Sequence, residues 1–273
     1  MPELPEVEVT RRGILPHAQG KTVAKVKIHH PKLRLPIPNK IITRLQNQKI
    51  SRIVRVGKYL LFHTAAGTLI FHLGMTGYLS LLSKTKSREK HDHFDLVFQD
   101  NTVLRYHDSR KFGLIRWTDT DPLRHHLLKA IGPDPLTNQF TGKYLYGKSR
   151  NRKIAVKPFI MDAKIVAGIG NIYACEALFA AGIHPATPAG KLSEKKCAGL
   201  VQAIKKVLRK AIETGTAVMV FQPDREWSGY FLQNRAVYQR AGAPCKNCGV
   251  LIEKIRMGQR SAFFCGKCQR QNV

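Results

Sequence analysis

The chain has 273 residues, 43% of them hydrophobic, with 46 Lys+Arg against 18 Asp+Glu and a formal net charge of +28. Length and apolar content exclude a disordered chain and suffice for one large or two ordinary domains. The basic excess runs along the whole sequence rather than in a tail, which points to a polyanionic partner, nucleic acid being the commonest.

A membrane role is not supported. No basic amphipathic anchor helix is visible. The most apolar region, from Tyr59 to Leu82, is interrupted by His63, Gly67, His72, Gly74 and Gly77, so it does not read as a transmembrane span. The first residues are acidic, with no apolar signal core. The expected location is the cytoplasm, or bound to the nucleoid if the chain is bacterial. In that reducing compartment the six cysteines do not read as disulfides.

In chain order, residues 4 to about 17 read as a helix. Pro5 suits its first turn and the acids Glu3 and Glu6 suit its start, with Pro16 and Gly20 near its end. Short runs rich in Val, Ile, Leu and Phe follow at 22–28, 50–56, 59–63, 68–73, 78–82, 94–98, 103–106 and 114–117. Gly, Asp-Asn or basic turns separate them, the spacing of an antiparallel sandwich or barrel. The 83–90 loop is charged. Around Ile131-Gly132-Pro133-Asp134-Pro135 the pattern changes, and beyond it the chain reads helical. Residues 191–212 carry Leu200, Ala203, Ile204, Val207, Leu208 and Ala211 at helical spacing, with Lys195, Lys196, Lys205, Lys206, Arg209 and Lys210 on the other face. The expected organisation is an α+β multidomain chain: a β-sandwich with a flanking helix over 1–131, a helical domain over 132–234, and a small cysteine-bearing segment over 235–273.

That last segment holds the most specific motif. Cys245 and Cys248, then Cys265 and Cys268, form a CxxC…CxxC pattern with sixteen residues between the pairs. Four thiolates meet zinc's tetrahedral preference and fill its shell, so one structural Zn2+ is expected. Basic residues between the pairs, Arg260 among them, suggest a hairpin with a cationic tip, or simply a solvated one. Cys175 and Cys197 have no partner spacing and read as buried or half-buried thiols.

The first residues carry a second kind of chemistry. Removal of Met1 would leave Pro2 with a free secondary amine, and an α-amino group has a pKa of about 8, well below lysine's. Such an amine attacks an electrophilic carbon to give an iminium, with Glu3 placed to move a proton. A helix N-terminus disfavours a second positive charge and holds the amine neutral. Taken alone, the three acids Glu3, Glu6 and Glu8 fit a plain helix cap better than catalysis. Gly168-Ile-Gly170-Asn171 reads as a tight turn into a helix, where backbone N–H groups make a phosphate site and Asn171 could cap.

These stretches together resemble the formamidopyrimidine-DNA glycosylases, bacterial repair enzymes that excise oxidised purines. The resemblance implies Pro2 as nucleophile, Glu3 as proton donor with Glu6 in support, and Lys58 by the phosphate of the damaged nucleotide, assisted by His72. It implies Met75, Arg110 and Phe112 as fillers of the void left by the flipped base, on His72-Leu73-Gly74-Met75-Thr76-Gly77 and Asp108-Ser109-Arg110-Lys111-Phe112-Gly113. Buried packing is the competing reading for Met75 and Phe112. Asn171, within a helix–two-turns–helix element, and Arg260, on a β-hairpin zinc finger, are implied phosphate ligands. Ser109 and Lys111 depart from the family's proline and arginine, and Cys175 from its serine. Residues 216–229 match the loop that covers the everted base, with Val218, Met219 and Val220 where polar residues are common. The implied activity is a bifunctional glycosylase and abasic-site lyase, acting as a monomer on double-stranded DNA containing oxidised bases. The alternatives are an endonuclease VIII-type relative for oxidised pyrimidines and a non-catalytic zinc DNA-binding protein.

Overall fold

The computed structural model describes residues 2–83, 86–218 and 235–270, with backbone alone at 216–218. These residues fall into two compact units, one of 2–129 with 212–218, the other of 130–211 with 235–270.

The first unit opens with helix α1 (Leu4–Ala18), which starts on a capping box between Glu3 and Glu6. The helix runs through Pro16 rather than stopping there, because a proline in the last turn forfeits one N–H bond without breaking the turns before it. Eight strands follow: β1 (Val23–Ile28), β2 (Arg52–Val56), β3 (Tyr59–Thr64), β4 (Gly67–His72), β5 (Tyr78–Ser83), β6 (Asp92–Phe98), β7 (Thr102–His107) and β8 (Leu114–Thr118). Between β1 and β2 lies a six-residue helix, α2 (Lys40–Leu45), too short to show a period in the sequence.

The strands form two antiparallel four-stranded sheets, β1-β6-β7-β5 and β2-β3-β4-β8. Their inner faces share one apolar core. Phe71 of β4 meets Phe94 of β6 at 6.3 Å between ring centroids and Tyr106 of β7 at 4.8 Å, both edge to face. Helix α1 packs on β2, β3 and β5. Its Glu8 is a junction: one carboxylate oxygen accepts from Arg11 and Arg12 at 2.9 Å, the other from Arg55 on β2 at 3.1 Å. Burial alone would raise the Glu8 pKa, but the Arg11 and Arg12 hydrogen bonds and the charges of Arg11 and Arg55 bring it down to about 2.

The second unit holds α3 (Gly142–Ser149), α4 (Val156–Met161), α5 (Asn171–Ala180) and most of the long α6 (Glu194–Val218), then the hairpin β9 (Glu253–Met257) and β10 (Arg260–Phe264). Helix α6 continues six residues past the expected end at 212, through Glu-Thr-Gly-Thr-Ala-Val. The stripe read from the sequence is largely the buried one: Leu200, Ala203, Ile204, Leu208 and Ala211 are covered and Val207 is half-buried, while the lysines face out or lie half-buried. Apart from the end of α6, the stretch matched to the base-covering loop lies outside the described residues. Among the described residues no helix is long and apolar enough to cross a membrane.

Candidate active site and nucleic-acid interface

The N-terminal residues are buried rather than displayed on a surface helix. Pro2 is covered, Glu3 is 1% exposed and Glu6 4%. The Glu3 N–H donates to Glu6 Oε2 at 2.8 Å, while the Glu3 side chain accepts from the Glu6 N–H. Both acids are therefore fixed by the same two-way lock, directly beside Pro2 in the chain.

Lys58 stands in the two-residue turn between β2 and β3, and the pairing of Tyr59 with His72 carries β3 back along β4. The His72 ring sits edge-on to Tyr59, with centroids 4.9 Å apart. Burial first, then the charges of Lys58 and Arg34, push the His72 pKa down to about 4, so the ring is neutral at pH 7. Its Nδ1 accepts the Gly74 N–H at 2.9 Å, which assigns the ring proton to Nε2. His72 thus presents a neutral N–H donor, with the Lys58 ammonium close enough to lower its basicity.

Met75 and Phe112 are not in the core. They are 38% and 41% exposed, two of the few large apolar side chains left in water. The Arg110 guanidinium lies over the Phe112 ring at 4.8 Å from its centroid, a cation–π pair at the tip of the loop. Between them Lys111 adopts a left-handed backbone, φ 56°, and its Nζ meets His30 Nε2 at 2.7 Å. An extended backbone at 111 would not place Arg110 and Phe112 side by side.

In the second unit one expectation is corrected. Asn171 does not cap α5; Gly170 holds the cap position and Asn171 is the first helical residue. Its side chain is turned instead to Lys157 and to the zinc hairpin. The Lys157 ammonium donates to Asn171 Oδ1 and to the Ser261 carbonyl, the latter at 3.1 Å, and Asn171 Nδ2 donates to the same carbonyl at 3.1 Å. Lys157 is 1% exposed. A groove of about 320 Å³ beside it is lined by Lys157, Pro158, Met161, Asp162, Met257, Gln259 and Arg260. Arg260 itself is exposed at the start of β10, paired with Met257 across the hairpin.

The four cysteines converge. Their Sγ atoms all lie within 4.8 Å of one another, with Cys245 to Cys268 at 3.9 Å and Cys248 to Cys265 at 3.5 Å. A tetrahedron with Zn–S bonds of about 2.3 Å has edges of roughly 3.8 Å, so the set fits zinc. Burial and the neighbouring sulfurs push the Cys268 thiol up to about 12 in the absence of a cation, so only a bound metal makes four thiolates stable together. The protein therefore has one structural zinc site. Behind it Cys175, Phe179, Val237, Ile252 and Phe263 form a small apolar cluster with Cys245 and Cys265.

Sequence reading missed three residues that hold these parts together. Lys157 could have been suspected, as a lone cation in the apolar run Ile154–Met161. Glu176 could not: its carboxylate accepts the N–H groups of Ala236, Val237 and Tyr238 at 2.8–2.9 Å, fixing the lead into the finger on α5. Asp108, fully buried, is the third.

Known proteins agree with this arrangement along its length. Residues 1–115 match the formamidopyrimidine-DNA glycosylase N-terminal domain, 131–222 the H2TH domain of the same enzymes, and 242–271 the zinc finger found in FPG and IleRS. The chain is 52% identical over 270 residues to a formamidopyrimidine-DNA glycosylase of Geotalea uraniireducens, covering 98% of this chain and 100% of that one. It is similar in structure to Lactococcus lactis Fpg in complex with DNA containing an abasic site, with TM-score 0.88, 34% identity and coverage of 99% and 100%. The same Lactococcus lactis protein with FAPY-dG DNA superposes with TM-score 0.87, at 34% identity and coverage of 98% and 100%. With three domain models matched in order and a relative 52% identical over 98% of the chain, it belongs to the formamidopyrimidine-DNA glycosylase family.

Proposed function

We propose that this protein is a base-excision-repair DNA glycosylase that removes oxidised purines, formamidopyrimidines and 8-oxoguanine, from duplex DNA and then cleaves the abasic site as a lyase. The observation that carries the reading is the lock between Glu3 and Glu6, which seats a carboxyl group next to Pro2 in a buried position. Met1 is removed, which frees the Pro2 nitrogen. That nitrogen attacks C1′ of the damaged nucleotide; the bond from C1′ to the base breaks and its electron pair leaves with the base. Glu3 supplies the proton, to the ring oxygen or to the leaving group. The nitrogen then gives up its own proton as the C1′–O4′ bond breaks, so that between this proton and the one from Glu3 both the base and the ring oxygen are protonated, and the opened sugar is held as an iminium, which acidifies the 2′ carbon. Loss of that proton expels the 3′ phosphate, a further elimination expels the 5′ phosphate, and water hydrolyses the iminium to restore the amine.

The other residues bind and position. Lys58 and the neutral His72 N–H hold the phosphate of the everted nucleotide. A base inside the duplex is out of reach, so it must leave the stack. Met75, Arg110 and Phe112 fill the gap: two exposed apolar side chains wedge, and the guanidinium faces the orphaned base. Asn171 Nδ2 carries two hydrogens, of which Ser261 takes one, and the other reaches a phosphate with Arg260. Zinc supplies the folding energy of the finger, on the order of 10 kcal/mol. The working division is 1–131 for catalysis, 132–234 for the helical grip and 235–273 for the finger, in a cytoplasmic, nucleoid-associated monomer.

The test is borohydride trapping on duplexes carrying 8-oxoguanine or an oxidised pyrimidine, run side by side. A covalent complex that forms faster on the purine is expected. Preference for the pyrimidine would make this an endonuclease VIII-type enzyme, and no complex on either would leave a DNA-binding protein only.

A further inference from the structure

The two loops that carry the exposed probes are built on one buried carboxylate. Asp108 is 0% exposed. Its Oδ1 accepts the Thr76 hydroxyl at 2.6 Å and the Arg110 N–H at 3.2 Å. Its Oδ2 accepts the Gly113 N–H at 2.8 Å and lies 3.0 Å from the Tyr106 hydroxyl. That hydroxyl has a second acceptor, the Leu73 carbonyl at 3.0 Å, so its single proton is shared between the Met75 loop and Asp108. The Asp108 carbonyl in turn accepts from His93 Nε2 at 2.7 Å, which anchors the hub to β6.

Glycines let the loops close on this hub. A Cβ at Gly74, φ +74°, would lie 2.5 Å from Gly113 N and 2.6 Å from the Phe112 carbonyl carbon. A Cβ at Gly113 would lie 1.8 Å from the Tyr106 hydroxyl oxygen, and one at Gly77 would lie 2.3 Å from it. Backbone therefore meets backbone with no side chain between, one residue from Met75 on one side and at Phe112 on the other. Such contacts do not slide: hydrogen bonds to a buried charge are stronger than neutral ones, and the Gly113 N–H and Tyr106 hydroxyl, both buried, have no water to turn to.

We propose that Asp108 is the positioning residue that joins the Met75 loop and the Arg110–Phe112 loop into one rigid wedge, so that the three probes enter the DNA stack together rather than independently. It touches neither substrate nor the reacting atoms. This rests on the glycosylase reading above.

An asparagine at 108 keeps the shape but offers one oxygen and one NH2, so either Thr76 and Arg110 or Gly113 then faces a donor instead of an acceptor. The experiment compares single-turnover excision of 8-oxoguanine opposite cytosine with borohydride trapping on a single-stranded abasic oligonucleotide, where no stack is opened and no partner base is orphaned. Asp108→Asn slows excision about tenfold or more while trapping stays within about twofold of the parent. Thr76→Val, which removes the hydroxyl's bond to Asp108 and its longer bond from the Arg110 N–H at 3.3 Å but keeps the carboxylate, shows the same split more weakly and stands in if Asp108→Asn does not fold. Met75→Ala and Phe112→Ala have non-additive effects on excision in the parent, and the effects become additive in the Asp108→Asn background. Excision at the parent rate in both variants, equal loss in both assays, or coupling that survives in Asp108→Asn would each overturn the proposal. A parent protein that traps nothing on the abasic strand would instead sink the glycosylase reading itself.

Discussion

Glu6 holds Glu3 by its backbone: Glu6 Oε2 accepts the Glu3 N–H at 2.8 Å, and the Glu3 carboxylate accepts the Glu6 N–H in return. One helix start thus serves two purposes, closing α1 and fixing a carboxyl group next to Pro2. The two purposes separate by substitution. Glu6→Gln can keep the reciprocal bonds, since glutamine serves in a capping box. Its melting temperature stays within about 1 °C of the parent, whereas Glu6→Ala loses about 1 kcal/mol and melts a few degrees lower. Calorimetry of the two variants beside the parent decides it. Both variants trap DNA more slowly if the Glu6 charge also steadies the amine.

Glu8 sets an acid limit on the first unit. Its folded pKa of about 2 lies below the ordinary 4.5, so its three arginine partners stabilise the fold fully above about pH 5. That contribution drains away as pH falls from 4.5 towards 2. It amounts to roughly 2 kcal/mol after allowance for solvent screening. Glu8→Gln is therefore less stable than the parent at pH 7, and in urea titrations the gap narrows steadily below about pH 4.5 and closes only as the pH falls below about 2. A constant gap across that range would contradict the assignment.

Zinc removal acts on the finger. Metal analysis gives one zinc per chain, and Cys248→Ser lowers that figure. With a ligand lost, the Cys245 and Cys265 cluster behind the site opens, and the hairpin that carries Arg260 loses its frame. Duplex affinity falls by at least about tenfold, the usual scale for losing several charged contacts at once. Unchanged affinity in fully metal-free protein would separate the finger from DNA binding.

Arg260→Ala reads out the electrostatics directly. The logarithm of the binding constant falls linearly with the logarithm of salt, by about 0.9 for each phosphate neutralised. Loss of one phosphate contact makes that slope shallower by about one and weakens all sequences alike. Fluorescence anisotropy between low and physiological salt measures it. An unchanged slope would take Arg260 out of the interface.

Much of this architecture could be read from the chain. The eight strands of the sandwich stand where short β-branched and aromatic runs predict them, and the cysteine spacing announces its metal. Met75 and Phe112 lie on the surface, as the glycines around them suggest. What the sequence hides is what depends on distance. Lys157 and Asn171 are fourteen positions apart and Ser261 is ninety beyond, so nothing local shows that the asparagine faces a buried ammonium rather than its own helix end. Asp108 looks like any residue in a turn until Thr76, thirty-two positions earlier, is seen to bond to it. Helix α2 fails for a different reason: six residues do not complete two turns, and its burial against β1 decides its form.

The account stands on the identity of one nitrogen. Borohydride reduction of the protein with abasic-site DNA, followed by proteolysis and mass spectrometry, locates the covalent bond. The DNA remnant is predicted on the peptide that begins at Pro2, attached through the proline nitrogen. A remnant on Lys58 or any other lysine, or none at all from protein confirmed to begin at Pro2, would contradict it.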